Sequence, residues 1–340
     1  MTQQDPSRND LSRRAFIGAG SGALVGAAAL GGLPGCAGGP AEMNSSDDLG
    51  PIPRRPFGKT GEKVSILGFG TANMGEAPPS VEECAAVFSE AIDRGINYMD
   101  TARIYGNAED AMGKVLKTRR DKVFLVTKCF TDTRKEAEES FETSLRKMGV
   151  DHVDLLHLHS TGDRDLEQVL APGGVWDYLL KMKEQGKTRF IGITGHSMPE
   201  KFLHMLDTNQ VDAMMVAMNF VDRNIYGFED KVLPRARELG VGVMAMKVYG
   251  GIRGGFRYVK QRRPSQMNAM YLQLAVRYAL GLEGVSGAVI GGHDIEELHQ
   301  NIRYVLNAPK LSSAELAALK STGERIATDW GPRFGPVTSG

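Results

Sequence analysis

Short apolar runs alternate with helix-like segments along the chain from residue 64 onwards. The runs are nearly continuous, as expected for strands that are buried on both faces of a parallel sheet. Each is followed by a segment long enough to cross over to a parallel neighbour. Eight such runs are present: Val64–Gly70, Ile96–Asp100, Val123–Lys128, Val153–His159, Phe190–Thr194, Val211–Asn219, Val241–Lys247 and Val285–Ile290.

The segment after the first run carries clear helix signals. Ser80 and Glu83 form a capping box, apolar residues then recur at intervals of three and four, and Gly95 ends the pattern. Eight strand–helix units in one series predict an α/β protein with a (β/α)8 TIM barrel over residues 54–328 and a tail over 329–340. A doubly wound sheet is the competing architecture, but Gly68-Phe69-Gly70 lacks the third glycine of a dinucleotide-binding fingerprint.

The first 36 residues are predicted to be a targeting segment. Arg13 and Arg14 stand directly before the uncharged, Gly- and Ala-rich stretch Ala15–Leu33, which resembles a twin-arginine signal. A membrane anchor is the alternative, because the stretch has nearly the roughly 20 residues that span a bilayer. Its many glycines make it weakly apolar and favour the signal.

The end of this segment, Leu33-Pro34-Gly35-Cys36, resembles a lipobox, in which the cysteine is acylated. Residues 37–53 have the composition of a flexible linker. We therefore expect export across the cytoplasmic membrane, to the periplasm or to the outer face of that membrane, with Cys36 as the only membrane attachment.

The charge and the cysteine content limit the kinds of molecule that the protein is expected to bind. Lys plus Arg and Asp plus Glu both number 41, so the formal charge is zero, and nothing indicates a nucleic-acid-binding face. The three cysteines are widely spaced and form neither a metal-ligand pattern nor a disulfide framework. These features argue against a nucleic-acid partner and against a cysteine-based metal site, and the sequence leaves the oligomeric state open.

Polar residues follow the predicted strands at the end where TIM barrels carry their chemistry. Asp100 and Lys128 follow neighbouring strands, so they are expected to pair, and by themselves they are equally consistent with a structural ion pair. His157 and His159 lie on the fourth strand, and Gly195-His196, Asn219, Lys247 and Gly291-Gly292-His293 follow later ones.

Four motifs, read in order, resemble the aldo-keto reductase family. Arg55–Gly70 is similar to its N-terminal hairpin, and Asp100–Glu109 has the form Asp-x-Ala-x-x-Tyr-Gly-x-x-Glu. Val126-Thr127-Lys128 and Asp154–His159 are similar to its strand-end lysine and histidine motifs. The resemblance covers roughly residues 54–306 and implies four catalytic residues: Asp100, Tyr105, Lys128 and His159.

This tetrad suits carbonyl reduction by a nicotinamide cofactor. Hydride transfer to a carbonyl carbon builds negative charge on oxygen, and Tyr105 would supply the proton. A free tyrosine has a pKa of about 10, which a neighbouring ammonium such as Lys128 lowers. Asp100 would hold the lysine, and His159 would orient the carbonyl or share the proton transfer.

The resemblance also implies a cofactor site made of Gly70, Thr71, Gly195, His196, Asn219, Lys247, Gly292, Gln300 and Asn301. Several positions depart from the family pattern. Gly195-His196 replaces Ser-Asn, Met246 replaces a stacking tyrosine, and the residues that read the 2′-phosphate become Gly292, His293 and Glu297. We expect NADP from the resemblance and leave NAD open, with phosphate contacts from a basic loop as an alternative: Arg253, Arg257, Lys260, Arg262 and Arg263.

Two other functions remain open from the sequence. A metal-dependent hydrolase would use the His157/His159 pair, with His196, His293 and Lys128 nearby. Against this, we expect His157 to be a buried histidine whose hydrogen bonds are satisfied. A slow-turnover module that binds the cofactor is the second alternative, and the intact tetrad argues against it.

Overall fold

A barrel of eight parallel strands organises the protein. The computed structural model describes residues 49–75, 79–253 and 264–338. Two strands form an N-terminal hairpin, β1 (Arg54–Pro56) and β2 (Lys63–Ser65). The barrel strands are β3 (Leu67–Gly70), β4 (Tyr98–Asp100), β5 (Phe124–Cys129), β6 (Val153–Leu158), β7 (Thr188–Gly195), β8 (Ala213–Ala217), β9 (Gly242–Met246) and β10 (Val285–Ile290).

Helices connect these strands and continue beyond the last one. In the described ranges they are α1 (Ala72–Gly75), α2 (Val81–Asp93), α3 (Ala108–Arg119), α4 (Arg134–Met148), α5 (Leu166–Leu170), α6 (Val175–Glu184), α7 (Pro199–Asp207), α8 (Phe228–Lys231), α9 (Leu233–Glu238), α10 (Leu272–Gly281), α11 (Ile295–Leu306) and α12 (Ser313–Trp330). Over the same ranges, no helix combines the length and the apolar character needed to cross a membrane.

The last barrel strand closes the barrel. Ala288 of β10 pairs in parallel with Leu67 of β3 on one side and with Ala245 of β9 on the other. All other neighbouring barrel strands are parallel and consecutive along the chain. The predicted (β/α)8 barrel is confirmed, and the doubly wound alternative is excluded.

The first predicted strand is two strands, so the expectation of a single run over Val64–Gly70 is wrong. The chain breaks at Ile66, whose N–H donates to the carbonyl of Pro53, while the Ser65 hydroxyl donates to the carbonyl of Leu67. The residues before this break pair with β1 as a hairpin, and those after it enter the barrel. Val64 before the break and Leu67 and Phe69 after it are all buried and apolar, so hydrophobicity does not reveal the boundary.

The hairpin closes the amino-terminal end of the barrel. Phe57, which follows β1, is fully buried and packs edge-on against Tyr98 and Phe124, with ring centroids 5.8 and 5.6 Å apart. Aromatic rings favour such edge-to-face contacts. The barrel interior is therefore packed at this end, and its chemistry is confined to the other.

Strand alternation carries polar side chains to that other end. Residues two apart on a strand face the same side, so Tyr98 is followed by Asp100, and Phe124 and Val126 by Lys128. On β6, Leu155 is likewise followed by His157 and, just after the strand, by His159. On these three strands, the inward-facing row therefore ends in a polar residue at the carboxyl end of the barrel.

The helices α1 and α2 follow the carboxyl end of β3 along the chain. The predicted capping box of α2 is present: the Ser80 hydroxyl accepts from the Glu83 N–H, and the Glu83 carboxylate accepts from the Ser80 N–H. Before α2, the chain forms α1 directly after β3. This helix places Asn73 at the cavity described below.

Candidate active site

A buried ion pair lies at the centre of the carboxyl end of the barrel. The Lys128 ammonium is 2.7 Å from a carboxylate oxygen of Asp100 and donates to the Thr101 carbonyl at 2.7 Å. Burial raises the pKa of Asp100 and lowers the pKa of Lys128, and the attraction between the two groups opposes both changes. Their pairing is the expected response to burial of two charges.

Tyr105 lies directly beside this pair. Its ring centroid is 4.8 Å from the Lys128 ammonium, and its ring meets the ring of His159 edge-on at 5.8 Å. The Tyr105 N–H donates to the Ala102 carbonyl, so a tight turn brings the ring back over β5. The four predicted catalytic residues are therefore brought together by three neighbouring strands and the loop after β4.

The tyrosine loop is held by a second buried carboxylate. Glu109, the last residue of the tyrosine motif, is fully buried and accepts from the Thr127 hydroxyl at 3.0 Å. Its other oxygen pairs with Arg103 at 2.9 Å. Thr127 immediately precedes Lys128, so Glu109 connects the loop that carries Tyr105 to the strand that carries the lysine.

His159 is a neutral imidazole in this environment. It is buried, and burial together with the nearby Lys128 ammonium lowers its pKa well below the ordinary value. The edge of its ring also meets Phe130 at 5.4 Å. A neutral imidazole can hydrogen-bond a carbonyl oxygen without adding a charge to the site.

A cavity of about 730 Å³ opens above the tetrad, and all four tetrad residues line it. Such a volume falls within the roughly 300–1,000 Å³ typical of ligand sites. The cavity continues past the ends of β9 and β10 towards the start of α11, where Glu297, Gln300 and Asn301 line it. The lining therefore includes both the tetrad and residues of the first turns of α11.

Five of the nine predicted cofactor residues line this cavity: Gly70, His196, Lys247, Gln300 and Asn301. His196 follows β7, and its ring packs on Phe334 of the C-terminal tail, with centroids 5.3 Å apart. Burial and the charges of Lys247 and Lys128 lower the pKa of His196 well below its ordinary value. Two neutral imidazoles, His159 and His196, therefore face the cavity.

The other four predicted cofactor residues, Thr71, Gly195, Asn219 and Gly292, are buried behind the lining. Thr71 donates its N–H to the Asp100 carbonyl. A Cβ on Gly195 would lie 2.8 Å from Phe202, so this glycine allows close packing of α7. Asn219 hydrogen-bonds to neighbouring protein groups, including the carbonyl of Lys247.

Two residues that line the cavity, Asn73 and Tyr249, carry no sequence signal that would have marked them. Asn73 reaches the cavity because α1 forms, and Tyr249 because its hydroxyl donates to Asn301 at 2.8 Å. Glu297 accepts from both the N–H and the ring of His293, which anchors the turn before α11. Of the basic loop after β9, Arg253 alone is described, and the other four residues lie outside the described ranges.

The histidine pair on β6 does not form a metal site. His157 is fully buried against the backbone of Gly192, one layer below the polar groups of the cavity. The expectation of a buried histidine is confirmed, and the satisfaction of its hydrogen bonds stays a prediction. Within residues 49–75, 79–253 and 264–338, no three His, Cys, Asp or Glu side chains are grouped to hold a metal ion.

Comparison with known proteins agrees with this geometry. L-galactose dehydrogenase of Arabidopsis thaliana is 27% identical over 298 residues, which cover 76% of this chain and 90% of that protein. Methylglyoxal reductase YeaE of Escherichia coli (strain K12) is 29% identical over 267 residues, which cover 75% and 90%. The crystal structure of an aldo/keto reductase from Klebsiella pneumoniae in complex with NADP and acetate matches with a TM-score of 0.62 and 25% identity, over 79% of this chain and 94% of that one.

The barrel and its tyrosine–lysine–aspartate–histidine site define an oxidoreductase of carbonyl compounds. Residues 66–270 match the model of the aldo/keto reductase family, and the chain belongs to that family. Membership favours NAD(P)-dependent oxidoreduction over metal-dependent hydrolysis.

Proposed function

We propose that the protein reduces the carbonyl group of an aldehyde or ketone with NADPH, or oxidises the corresponding alcohol with NADP, and that Tyr105 is the proton donor. One observation carries this proposal. The Lys128 ammonium, paired with Asp100 at 2.7 Å, lies 4.8 Å from the centre of the Tyr105 ring at the floor of a ligand-sized cavity.

Each tetrad residue has a distinct task in the reduction. Tyr105 gives its proton to the carbonyl oxygen as negative charge develops there, and Lys128 stabilises the phenolate that remains. Asp100 keeps the buried lysine charged and in place. The neutral His159 hydrogen-bonds the carbonyl oxygen and so orients the substrate. The cofactor, when bound, supplies the hydride.

The residues around the cavity fit a dinucleotide. A Cβ on Gly291 would lie 2.6 Å from the Gly70 carbonyl oxygen, so only glycine allows β3 and β10 to meet at this wall. Lys247, Gln300 and Asn301 add a cation and two amides along the same wall. The relative from Klebsiella pneumoniae is in complex with NADP. NADP is therefore the first cofactor to test, and NAD the second.

Titration of the purified protein with NADPH and NADH, followed by turnover of a panel of aldehydes and ketones, tests this function. Replacement of Tyr105 by Phe removes only the proton donor and is expected to lower kcat about 10²- to 10⁴-fold. The Kd for NADPH should change little. Unaltered turnover by the Tyr105→Phe variant would show that the tetrad is not the catalytic centre and would favour a cofactor-binding module.

We further propose that the protein acts outside the cytoplasmic membrane. The supporting features are the adjacent Arg13 and Arg14, the uncharged stretch after them and Cys36, all of which lie outside the described residues. Export in the folded state would allow the cofactor to be bound before the protein crosses the membrane. Fusion of residues 1–36 to a folded reporter should direct it outside, and Lys replacement of both arginines should abolish this. Mass spectrometry of the exported protein would show whether Cys36 is acylated.

A further inference from the structure

His157 is a polar side chain in an apolar part of the barrel interior. It lies on the inward-facing row of β6, between Leu155 and His159, and it is fully buried. Leu155, Val126 and Phe124 belong to a buried cluster that consists of apolar and aromatic side chains. A leucine at residue 157 would continue this cluster without the free-energy cost of burying an imidazole. Residues that break the pattern of a core in this way are expected mainly at functional sites.

His157 lies directly beside the catalytic lysine. It is the register partner of Lys128 across the parallel pair of β5 and β6, at the strand spacing of about 4.8 Å. On its other side it is the register partner of Gly192, and a Cβ on that glycine would lie 2.6 Å from the Nδ1 of His157. His157 is not among the described residues that line the cavity. Any effect of this ring on the reaction therefore passes through a neighbour.

The neighbouring Lys128 needs support for its charge because it is fully buried. Burial lowers the pKa of Lys128, and the carboxylates of Asp100 and Glu109 oppose this shift. A neutral, dipolar ring beside the ammonium replaces part of the hydration that burial removes, whereas a protonated ring would repel it. Burial, and after it the charge of Lys128, lowers the pKa of His157 well below its ordinary value. The ring at residue 157 is therefore polar but uncharged at neutral pH.

Several other titratable groups surround the pair of Lys128 and His157 in the described part of the chain. They are Tyr98 and Asp100 of β4, Tyr105 in the loop after β4, Glu109 of α3, His159 directly after β6, His196 directly after β7 and Lys247 directly after β9. Asp100 and Glu109 support the ammonium, and Lys247, a like charge, does not. Because these groups titrate together, the effect of His157 is measured as the shift of a pH profile between variants.

We propose that His157 is a positioning residue for the reaction, whose neutral imidazole keeps the buried Lys128 ammonium charged and in place beside Tyr105. Because it assumes that Tyr105 donates the proton, this inference rests on the proposed function. It predicts that an apolar residue at this position impairs turnover although it suits the surrounding core.

The pH profile of kcat for carbonyl reduction tests this role. His157→Leu removes the imidazole and fills the space with an apolar side chain of similar size. Lys128 should then lose its proton at lower pH, so the basic limb of the profile should move down by about 1 pH unit, a roughly tenfold loss of kcat above the limb. The Kd for NADPH should change little. His157→Gln, which keeps a neutral polar group, should retain the wild-type limb.

A packing control separates this role from a structural one. Leu155→Ala creates a cavity on the same row of β6, one layer deeper, so it should lower the melting temperature and leave the basic limb in place. His157→Leu should not lower the melting temperature, since it replaces a buried polar group by an apolar one. A basic limb at the wild-type position in His157→Leu, or an equal loss of kcat at every pH, would overturn the inference.

A second apolar variant covers a failure of His157→Leu to fold. His157→Met offers the same comparison with a more flexible side chain, and the same shift of the basic limb is expected. If both apolar variants fail to fold while His157→Gln folds, the polar group serves stability alone, and the inference is overturned.

The outcomes also separate this inference from the proposed function. Unaltered turnover by Tyr105→Phe contradicts the function itself. An inactive Tyr105→Phe together with a wild-type pH profile of His157→Leu leaves the function standing and overturns only the role of His157.

Discussion

We predict that the ion pair beneath Tyr105 serves both stability and catalysis, and a pair of variants can separate the two roles. Lys128→Met removes the ammonium but retains a side chain of similar length. It leaves Asp100, whose side chain is only 5% exposed, without its partner at 2.7 Å. Loss of one member of a buried pair typically costs about 3–5 kcal/mol, so we expect the free energy of unfolding to fall by that amount.

A second change should restore stability without restoring turnover. Asp100→Asn in the Lys128→Met background removes the uncompensated charge and keeps the shape of the side chain. The Thr101 carbonyl, which accepts from Lys128 in the wild type, still lacks its donor. We therefore expect the double variant to lie within about 1–3 kcal/mol of wild type, the cost of one unsatisfied buried group.

The second change is not expected to restore turnover, in contrast to its effect on stability. Neither variant can stabilise the Tyr105 phenolate, so both should lose about 10²- to 10⁴-fold or more in kcat at saturating NADPH. Urea unfolding gives the stability difference, and stopped-flow or steady-state kinetics gives the rate. If the double variant regained turnover along with stability, the ion pair would be purely structural, and the role of Lys128 in stabilising the phenolate would be refuted.

Two further predictions concern residues outside the catalytic tetrad. Burial and the Lys128 ammonium lower the pKa of His157 well below its ordinary value, so below about pH 6.5 the unfolded chain takes up a proton that the folded protein does not. The free energy of unfolding of the wild type should therefore fall relative to that of His157→Gln as the pH is lowered from about 6.5 to 5, with a slope that approaches about 1.4 kcal/mol per pH unit at the acid end. A difference between the two free energies, measured by urea unfolding, that stays constant over this window would contradict the prediction. Gly113→Ala should destabilise by about 1–3 kcal/mol, because the added Cβ would lie 2.4 Å from the Lys147 carbonyl oxygen of α4. Gly281→Ala is the control: its Cβ would meet nothing within 4 Å, so its melting temperature should not fall.

The four residues of the tetrad could be predicted from the sequence because each one belongs to a strong local sequence pattern. Asp100 and Lys128 end buried strands, and Tyr105 and His159 lie at fixed spacings in motifs that resemble the family. Strand ends in a TIM barrel converge on one rim, so the barrel prediction alone brings these residues together. The resemblance to the family then favours a catalytic group over a structural ion pair, and the catalytic roles of the four residues stay predictions.

The side of the cavity lined by Lys247, Gln300 and Asn301 was harder to predict from the sequence, because its geometry depends on contacts between distant parts of the chain. Asn219 was predicted to bind the cofactor, yet its hydrogen bond to the Lys247 carbonyl spans 28 residues and places it behind the wall. The contacts of Trp330 with Asp222 and of Phe334 with His196 span more than 100 residues. No periodicity or motif encodes such contacts, and nothing in the local sequence distinguishes the residues that make them.

The form of the tyrosine motif follows from the two faces of β5. Thr127 and Lys128 are successive residues, so their side chains face opposite sides of the strand. Asp100, at the start of the motif, pairs with Lys128 on the inner side, whereas Glu109, at its end, accepts from Thr127 on the outer side. Both carboxylates are buried, so a loop that lost either contact would leave a buried acceptor unsatisfied. The two carboxylates therefore fix both ends of the segment on one strand, and this holds the centre of the Tyr105 ring 4.8 Å from the Lys128 ammonium.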